Sequence, residues 1–226
     1  MDKLCSVAID GPAGAGKSTI AKAAAKRFGF IYVDTGAIYR TVGVAARRAG
    51  LDPRDAARVI AMLPSLSIRF DYGPDGVQRM FLNGEDVSGL IRTPEISMYA
   101  SAVSAIPEVR AFLMDMQRDM AKTTSVVMDG RDIGTVVLPD AGLKIFLTAS
   151  AEARAKRRFI ELKEKGDPAT FGEVLADMLE RDKNDTNRAA APLKAAEDAV
   201  VVDTTELSLE ESIEHMCALI RERFGL

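Results

Sequence analysis

The chain has 226 residues, 47% hydrophobic and 28% charged, with 30 Lys and Arg against 33 Asp and Glu for a formal net charge of −3. That balance suits a globular protein with one substantial core, and no basic run is long enough to track a nucleic-acid backbone, so a small anionic ligand is the better-matched partner. No apolar stretch approaches the ~20 residues that cross a bilayer and no charged-then-apolar leader opens the chain, so a cytoplasmic protein without a membrane partner is expected. Cys5 and Cys217 lie at opposite ends with no C-x-x-C spacing and no cluster with the lone His215, which argues against disulfide, metal and thiol chemistry.

In chain order, an apolar β-prone run, Cys5 to Ile9, comes first, and a helix-forming run, Ile20 to Arg27, follows. Between them stands Gly11-Pro12-Ala13-Gly14-Ala15-Gly16-Lys17-Ser18, a complete G-x-x-x-x-G-K-[ST] phosphate-binding loop in the strand, loop and helix context that the motif requires. Its glycines allow φ > 0, so successive N–H groups can turn onto phosphate oxygens. The start of the helix near Lys17 adds unpaired N–H groups, Lys17 reaches the β/γ-phosphates, and the Ser18 hydroxyl is placed to ligate Mg²⁺. A nucleoside triphosphate is the expected ligand.

The second strand run, Ile31 to Val33, leads into Asp34-Thr35-Gly36-Ala37-Ile38-Tyr39-Arg40. Ligands bind at the carboxyl ends of strands in doubly wound sheets, so this turn is a candidate site, with Thr35 able to cap the next helix and Arg40 one turn in. A capped helix start with a surface arginine is the alternative. Asp52-Pro53, Thr93-Pro94 and Ile106-Pro107 mark helix starts, and Thr170-x-x-Glu173 and Ser208-x-x-Glu211 read as capping boxes. From Leu66 to Asp71 the pattern has period two, then come the turn residues Tyr72 to Gly76, a second run Gln78 to Leu82, and Asn83-Gly84. These predict an antiparallel meander between Pro64 and Gly89.

A third strand run, Ser125 to Met128, opens onto Asp129-Gly130-Arg131-Asp132-Ile133-Gly134-Thr135, whose charges can serve Mg²⁺, substrate or one another. Leu143 to Leu147 and Ala199 to Val202 complete five apolar runs suited to strands buried on both faces of a parallel sheet. Arg154, Arg157 and Arg158 share a helical face, where like charges would be relieved by an anion or by solvent and Glu161.

Taken together these blocks resemble bacterial cytidylate kinases. The pieces that carry the resemblance are Ile9 to Ser18, Thr35 to Arg40, Gly84 to Gly89 with Ile91-Arg92-Thr93, Asp129 to Thr135, Ala141 to Phe146, and Arg181-Asp182 through Asn187 to Pro192. The likeness extends from about Ser6 to the C-terminus, with Thr35 where the family often has Ser and Thr19 in a variable slot. It implies an α/β fold: a doubly wound five-stranded parallel sheet of the P-loop nucleoside-monophosphate-kinase type, with a small antiparallel insertion and a short helical lid. One kinase domain over 1–226 is expected, with a monophosphate-binding region at 36–121, the meander at about 65–89 and a lid at 150–168.

The implied reaction is transfer of the γ-phosphoryl group of ATP, with Mg²⁺, to CMP or dCMP. Residues Gly11 to Thr19 and Arg157 would hold ATP. Ser101, Arg110 and Asp132 would read cytosine, Asp185 and Arg188 the sugar, and Thr35, Arg40, Arg131, Arg181 and Arg188 would surround the monophosphate. Lys17, Arg40, Arg131, Arg157 and Arg181 would spread transition-state charge, and Asp10 or Asp129 would support the Ser18-bound Mg²⁺ through water. A carboxylate facing the N4 amino group and a guanidinium facing N3 and O2 suit cytosine and disfavour uracil. A uridylate or shikimate kinase is the alternative within the class, and a GTP-dependent switch outside it. The chain has no Asn-Lys-x-Asp signature, Asp182-Lys183-Asn184-Asp185 reversing the order. A monomer is expected.

Overall fold

A computed structural model describes residues 4–164 and 166–226, so Lys165 of the expected lid and the first three residues of the expected domain lie outside the described residues. The chain divides into two compact units, Met1–Tyr32 with Thr124–Leu226, and Val33–Thr123. In order, the elements are β1 (Ser6–Asp10), α1 (Lys17–Phe28), β2 (Ile31–Asp34), α2 (Thr35–Arg48), α3 (Ala56–Met62), β3 (Ile68–Tyr72), β4 (Gln78–Leu82), β5 (Glu85–Asp86), α4 (Pro94–Val103), α5 (Pro107–Thr123), β6 (Val126–Gly130), β7 (Leu143–Thr148), α6 (Ala151–Glu164), α7 (Phe171–Asn187), β8 (Val200–Asp203) and α8 (Leu209–Phe224). No helix among the described residues is long and apolar enough to cross a membrane.

The five apolar runs form a parallel sheet of order β2-β6-β1-β7-β8. Its register sets Asp10 beside Gly130 and Ile9 beside Asp129, so the loops after β1 and β6 leave from the same edge. Four of the strands run one residue past the end of their apolar run, to Asp10, Asp34, Thr148 and Asp203, and β6 runs two past, to Gly130. Polar or small residues can end a strand where its last backbone bonds are still made. Burial on both faces holds for β6 but fails at β8, where Val200 and Val201 are 40% and 61% exposed and only Val202 is buried. The reason is position: β8 is the sheet edge. A core of Val7, Ile9, Ile20, Val127, Ile145, Leu147, Met216 and Ile220 joins the sheet to α1 and α8. Both predicted capping boxes, at Thr170 and Ser208, are formed.

In the Val33–Thr123 unit, Ile38, Val42, Val59, Met80, Leu82, Ile91, Val103 and Leu113 make one core. The meander appears as a separate antiparallel sheet of order β3-β4-β5, with Asn83 and Gly84 at φ 51° and 88° in the predicted turn. It is part of this core, because Met80 is fully buried. Pro94 and Pro107 open α4 and α5 as expected. Two local expectations are corrected. Asp52-Pro53 forms a turn closed by the Asp55 N–H on the Asp52 carbonyl, and α3 starts later, capped by Asp55. Asp34, not Thr35, caps α2, accepting from the Ala37 N–H at 2.8 Å, which places Thr35 inside the first turn. Two cap-forming residues stood side by side, and Asp34 alone has the extended backbone that a cap requires.

Candidate active site

The phosphate loop has the backbone its glycines predicted, with φ of 149°, 73° and 84° at Gly11, Gly14 and Gly16. A Cβ on Gly11 would stand 1.9 Å from the Leu147 carbonyl oxygen, so no other residue fits there. Gly16 caps α1 without a side-chain acceptor, leaving the N–H groups of the first turn to an anion. Lys17 is only 5% exposed and donates to the carbonyls of Gly11 and Pro12, each at 2.7 Å. Its ammonium is thus held against the backbone of the phosphate loop itself. Burial first, then the charges of Arg131 and Arg181, lower its pKa well below the lysine range against the pull of Asp129 and Asp10.

The two carboxylates considered for Mg²⁺ differ. Asp10 accepts from the N–H groups of Ile133 and Gly134, both at 2.7 Å, and so shapes the turn after β6. Burial raises its pKa to about 6 despite those two bonds. Asp129 accepts from the Ser18 hydroxyl and from the Tyr32 hydroxyl, both at 2.9 Å. Ser18 and Thr19 are exposed, whereas Pro12, Ala13 and Ala15 are buried supports of the loop.

In the same unit Arg131 donates through Nε to Asp185 at 2.8 Å, and Arg188 pairs with Asp132 at 3.5 Å while its Nε reaches the Ala191 carbonyl at 2.6 Å. Burial by itself would raise the Asp185 pKa, but Arg131, then Arg181 and Arg188, hold it below the ordinary carboxylate value. Residues just after β6 and at the C-terminal end of α7 thus meet as one ionic group around the buried Asp132 and Asp185.

The three arginines of α6 have different surroundings. Arg154 is 4% exposed and donates to the Ala149 carbonyl, to the Ala13 carbonyl of the phosphate loop at 2.9 Å, and to Asp182 at 2.6 Å. Arg157 bonds the Thr204 hydroxyl and carbonyl beyond β8, and Arg158 pairs with Glu161 at the surface. The expectation of three arginines sharing one solvated or phosphate-facing stripe is corrected for Arg154, which braces the loop through its backbone. An unsatisfied buried carbonyl at Ala13 is costly, and a buried guanidinium needs several acceptors, so each answers the other.

The Val33–Thr123 unit holds Thr35, Arg40, Ser101 and Arg110. Thr35 is buried. Arg40 pairs with Asp34 at 2.8 Å. Arg110 is buried, donates to the Ser104 carbonyl at 3.3 Å and lies 5.4 Å from the Tyr39 ring centroid, while the Ser104 hydroxyl bonds the Ser101 carbonyl at 2.9 Å. Ser101 and Arg110 are thus linked through Ser104. Sequence reasoning missed Tyr32, Asp34, Gln78 and Asp182 as partners of the site residues. Only Asp34 carried a signal, as a cap-forming residue at a strand end.

A glycine-rich anion loop on a five-stranded parallel sheet, with a buried lysine and clustered arginines, defines a P-loop kinase. The fold is similar to that of a shikimate kinase from Bacteroides thetaiotaomicron, with TM-score 0.50 and 15% identity over 99% of this chain and 100% of that one. It is equally similar to a gluconokinase from Sinorhizobium meliloti 1021, with TM-score 0.50 and 15% identity over 98% and 94%. The sequence profile described as Cytidylate kinase matches residues 7–222. Curated cytidylate kinases of Caldicellulosiruptor bescii and Geobacter sulfurreducens are 52% and 50% identical to it, each over 96% of this chain, and over 96% and 93% of their own lengths. The chain belongs to the cytidylate kinase family.

Proposed function

We propose that this enzyme transfers the γ-phosphoryl group of ATP to CMP and dCMP, giving ADP and CDP or dCDP, as a cytoplasmic monomer. The observation that supports this best is the gathering of like charges in one unit. Burial first, and then the charges of Arg131 and Arg181, lower the Lys17 pKa, and a polyphosphate relieves the repulsion among these cations. The acceptor needs no general base, because a phosphate monoester with a second pKa of about 6 is mostly ionised at neutral pH. Alignment and charge stabilisation remain, and Lys17, Arg40, Arg131, Arg157 and Arg181 are assigned to them. Ser18 and Asp129 fit a Mg²⁺ ion, one hydroxyl and one carboxylate being the small protein share that Mg²⁺ takes when phosphates supply the rest. When bound, the ion offsets charge on the β- and γ-phosphates. Asp10, both of whose oxygens are held by backbone N–H groups, is assigned to positioning the turn after β6.

For the acceptor, Ser101, Arg110 and Asp132 are assigned to cytosine, Asp185 and Arg188 to the sugar, and Thr35, Arg40, Arg131, Arg181 and Arg188 to the monophosphate. Residues 36–121 are read as the monophosphate-binding region and 150–168 as a lid, in which Arg157 closes on ATP. A coupled assay with CMP, dCMP, UMP, AMP, GMP and shikimate as acceptors tests the reading. CMP and dCMP should lead, and Asp132→Ala should cut the CMP over UMP preference by roughly a hundredfold. Equal turnover of UMP or shikimate by the unmodified enzyme sinks the proposal.

A further inference from the structure

The inserted sheet reaches the start of α2 through one side chain. Gln78, the first residue of β4, is 8% exposed, and its Oε1 accepts from the Asp34 N–H at 2.8 Å while its Nε2 donates toward the Asp34 carbonyl at 3.3 Å. The same Nε2 lies 3.3 Å from the Met80 sulfur. A flipped amide would set Oε1 against a carbonyl oxygen and a sulfur, so the orientation is fixed by its partners. Gln78 thus clasps both backbone groups of one residue, as a neighbouring strand would.

That residue organises the helix start. Asp34 Oδ1 accepts from the Ala37 N–H and Oδ2 from Arg40, both at 2.8 Å. The fit is close: a Cβ on Gly36 would lie 2.9 Å from Arg40 Nη1 and 3.1 Å from Asp34 Oδ1. Arg40 Nε is buried with no acceptor among the described residues, so this guanidinium is oriented on one side and keeps a donor for something else. Tyr72, paired with Gln78 across the hairpin, also comes near the Asp34 charge, and burial first, then that charge, push its phenol well above the ordinary range.

We propose that Gln78 is a positioning residue for the acceptor phosphate: by clasping the Asp34 backbone it sets the carboxylate that aims Arg40. This rests on the reading that Arg40 binds the acceptor monophosphate. It gives the insert a catalytic consequence beyond its share of the core. A one-residue slip of β4 would replace Gln78 with Val77 or Arg79, neither of which can both accept from and donate to one peptide unit.

The test is Gln78→Met, which keeps the length and loses the amide, with steady-state kinetics for both substrates. The expected result is a kcat/KM for CMP lowered roughly tenfold, the scale of one or two lost hydrogen bonds, with the KM for ATP unchanged. Arg40→Met is measured beside it, and in the double variant the Gln78 change should add nothing, because its effect runs through Arg40. If Arg40→Met leaves CMP turnover intact, the underlying reading of Arg40 fails. If Arg40→Met is crippled while folded Gln78→Met stays within twofold of wild type, or if the two effects multiply, the positioning role alone is overturned. Gln78→Glu is the second variant, should Gln78→Met not fold. It can accept but not donate and sets a second carboxylate beside Asp34, so its CMP defect should exceed tenfold at pH 8 and shrink toward pH 6, and a defect flat with pH overturns the proposal.

Discussion

Lys17 and Arg40 are both cations at the start of a helix that follows a strand, and they are held in opposite ways. Lys17 is fixed by two carbonyls no more than six residues away, in the loop that defines its motif. Arg40 is fixed by Asp34, whose backbone is held by Gln78 from a sheet 44 residues further along. A short loop with positive-φ glycines builds its own acceptors. An ordinary capped helix start cannot, and it takes its precision from tertiary neighbours. The first arrangement should tolerate changes elsewhere in the chain, and the second should not.

The largest expected effect breaks the local arrangement. Lys17→Met should lower kcat by about a thousandfold, since its charge matters most as negative charge develops in transfer. Melting should change little, because removing a buried charge and leaving the Gly11 and Pro12 carbonyls without their donor act in opposite directions. A folded variant with near wild-type kcat would remove Lys17 from the chemistry. Next, Arg40→Lys keeps the charge but loses the planar fork that can bond Asp34 and a phosphate together, so kcat/KM for CMP should fall roughly ten- to a hundredfold. Wild-type kinetics in Arg40→Lys would mean that charge alone suffices there.

Two buried carboxylates of the phosphate-loop unit, Asp185 and Asp10, should respond to pH in opposite ways. Asp185→Asn, beside three arginines, should cost about 3–5 kcal/mol near pH 7. Because its pKa is lowered on folding, that stability is present above the ordinary carboxylate value and is lost as pH falls through the lowered one. The deficit of Asp185→Asn should thus close in acid. Asp10 has the opposite sign. With its pKa raised to about 6, its contribution is full below the ordinary value and is lost as pH rises through about 6. Urea unfolding from pH 4 to 7 should move the balance between wild type and Asp10→Asn toward the variant as pH rises, and parallel profiles would contradict the assignment. The smallest effect is at the surface: Arg48 makes a two-pronged pair with Glu85 at 2.8 Å, both exposed, and Arg48→Ala should leave melting and CMP kinetics within error.

The sequence by itself determined whatever a few neighbouring residues decide through φ, ψ and short-range bonds. The phosphate loop, both capping boxes, the Pro-marked starts of α4 and α5, the Asn83-Gly84 turn and the five strand runs belong here. Spacing alone encodes them, and the six pieces between Ile9 and Pro192 taken together were enough to mark the family. Tertiary structure decided what competes or acts at a distance. Asp34 rather than Thr35 became the cap, because the choice depends on where β2 releases the chain. Arg154, read from the sequence as part of a solvated or anion-facing stripe, instead braces Ala13, 141 residues away, because a loop carbonyl lay within its reach. Gln78 was unremarkable in the sequence for the same reason. The value of a buried polar side chain lies in the partner it satisfies, and only the folded chain brings that partner close enough to make the burial of both favourable.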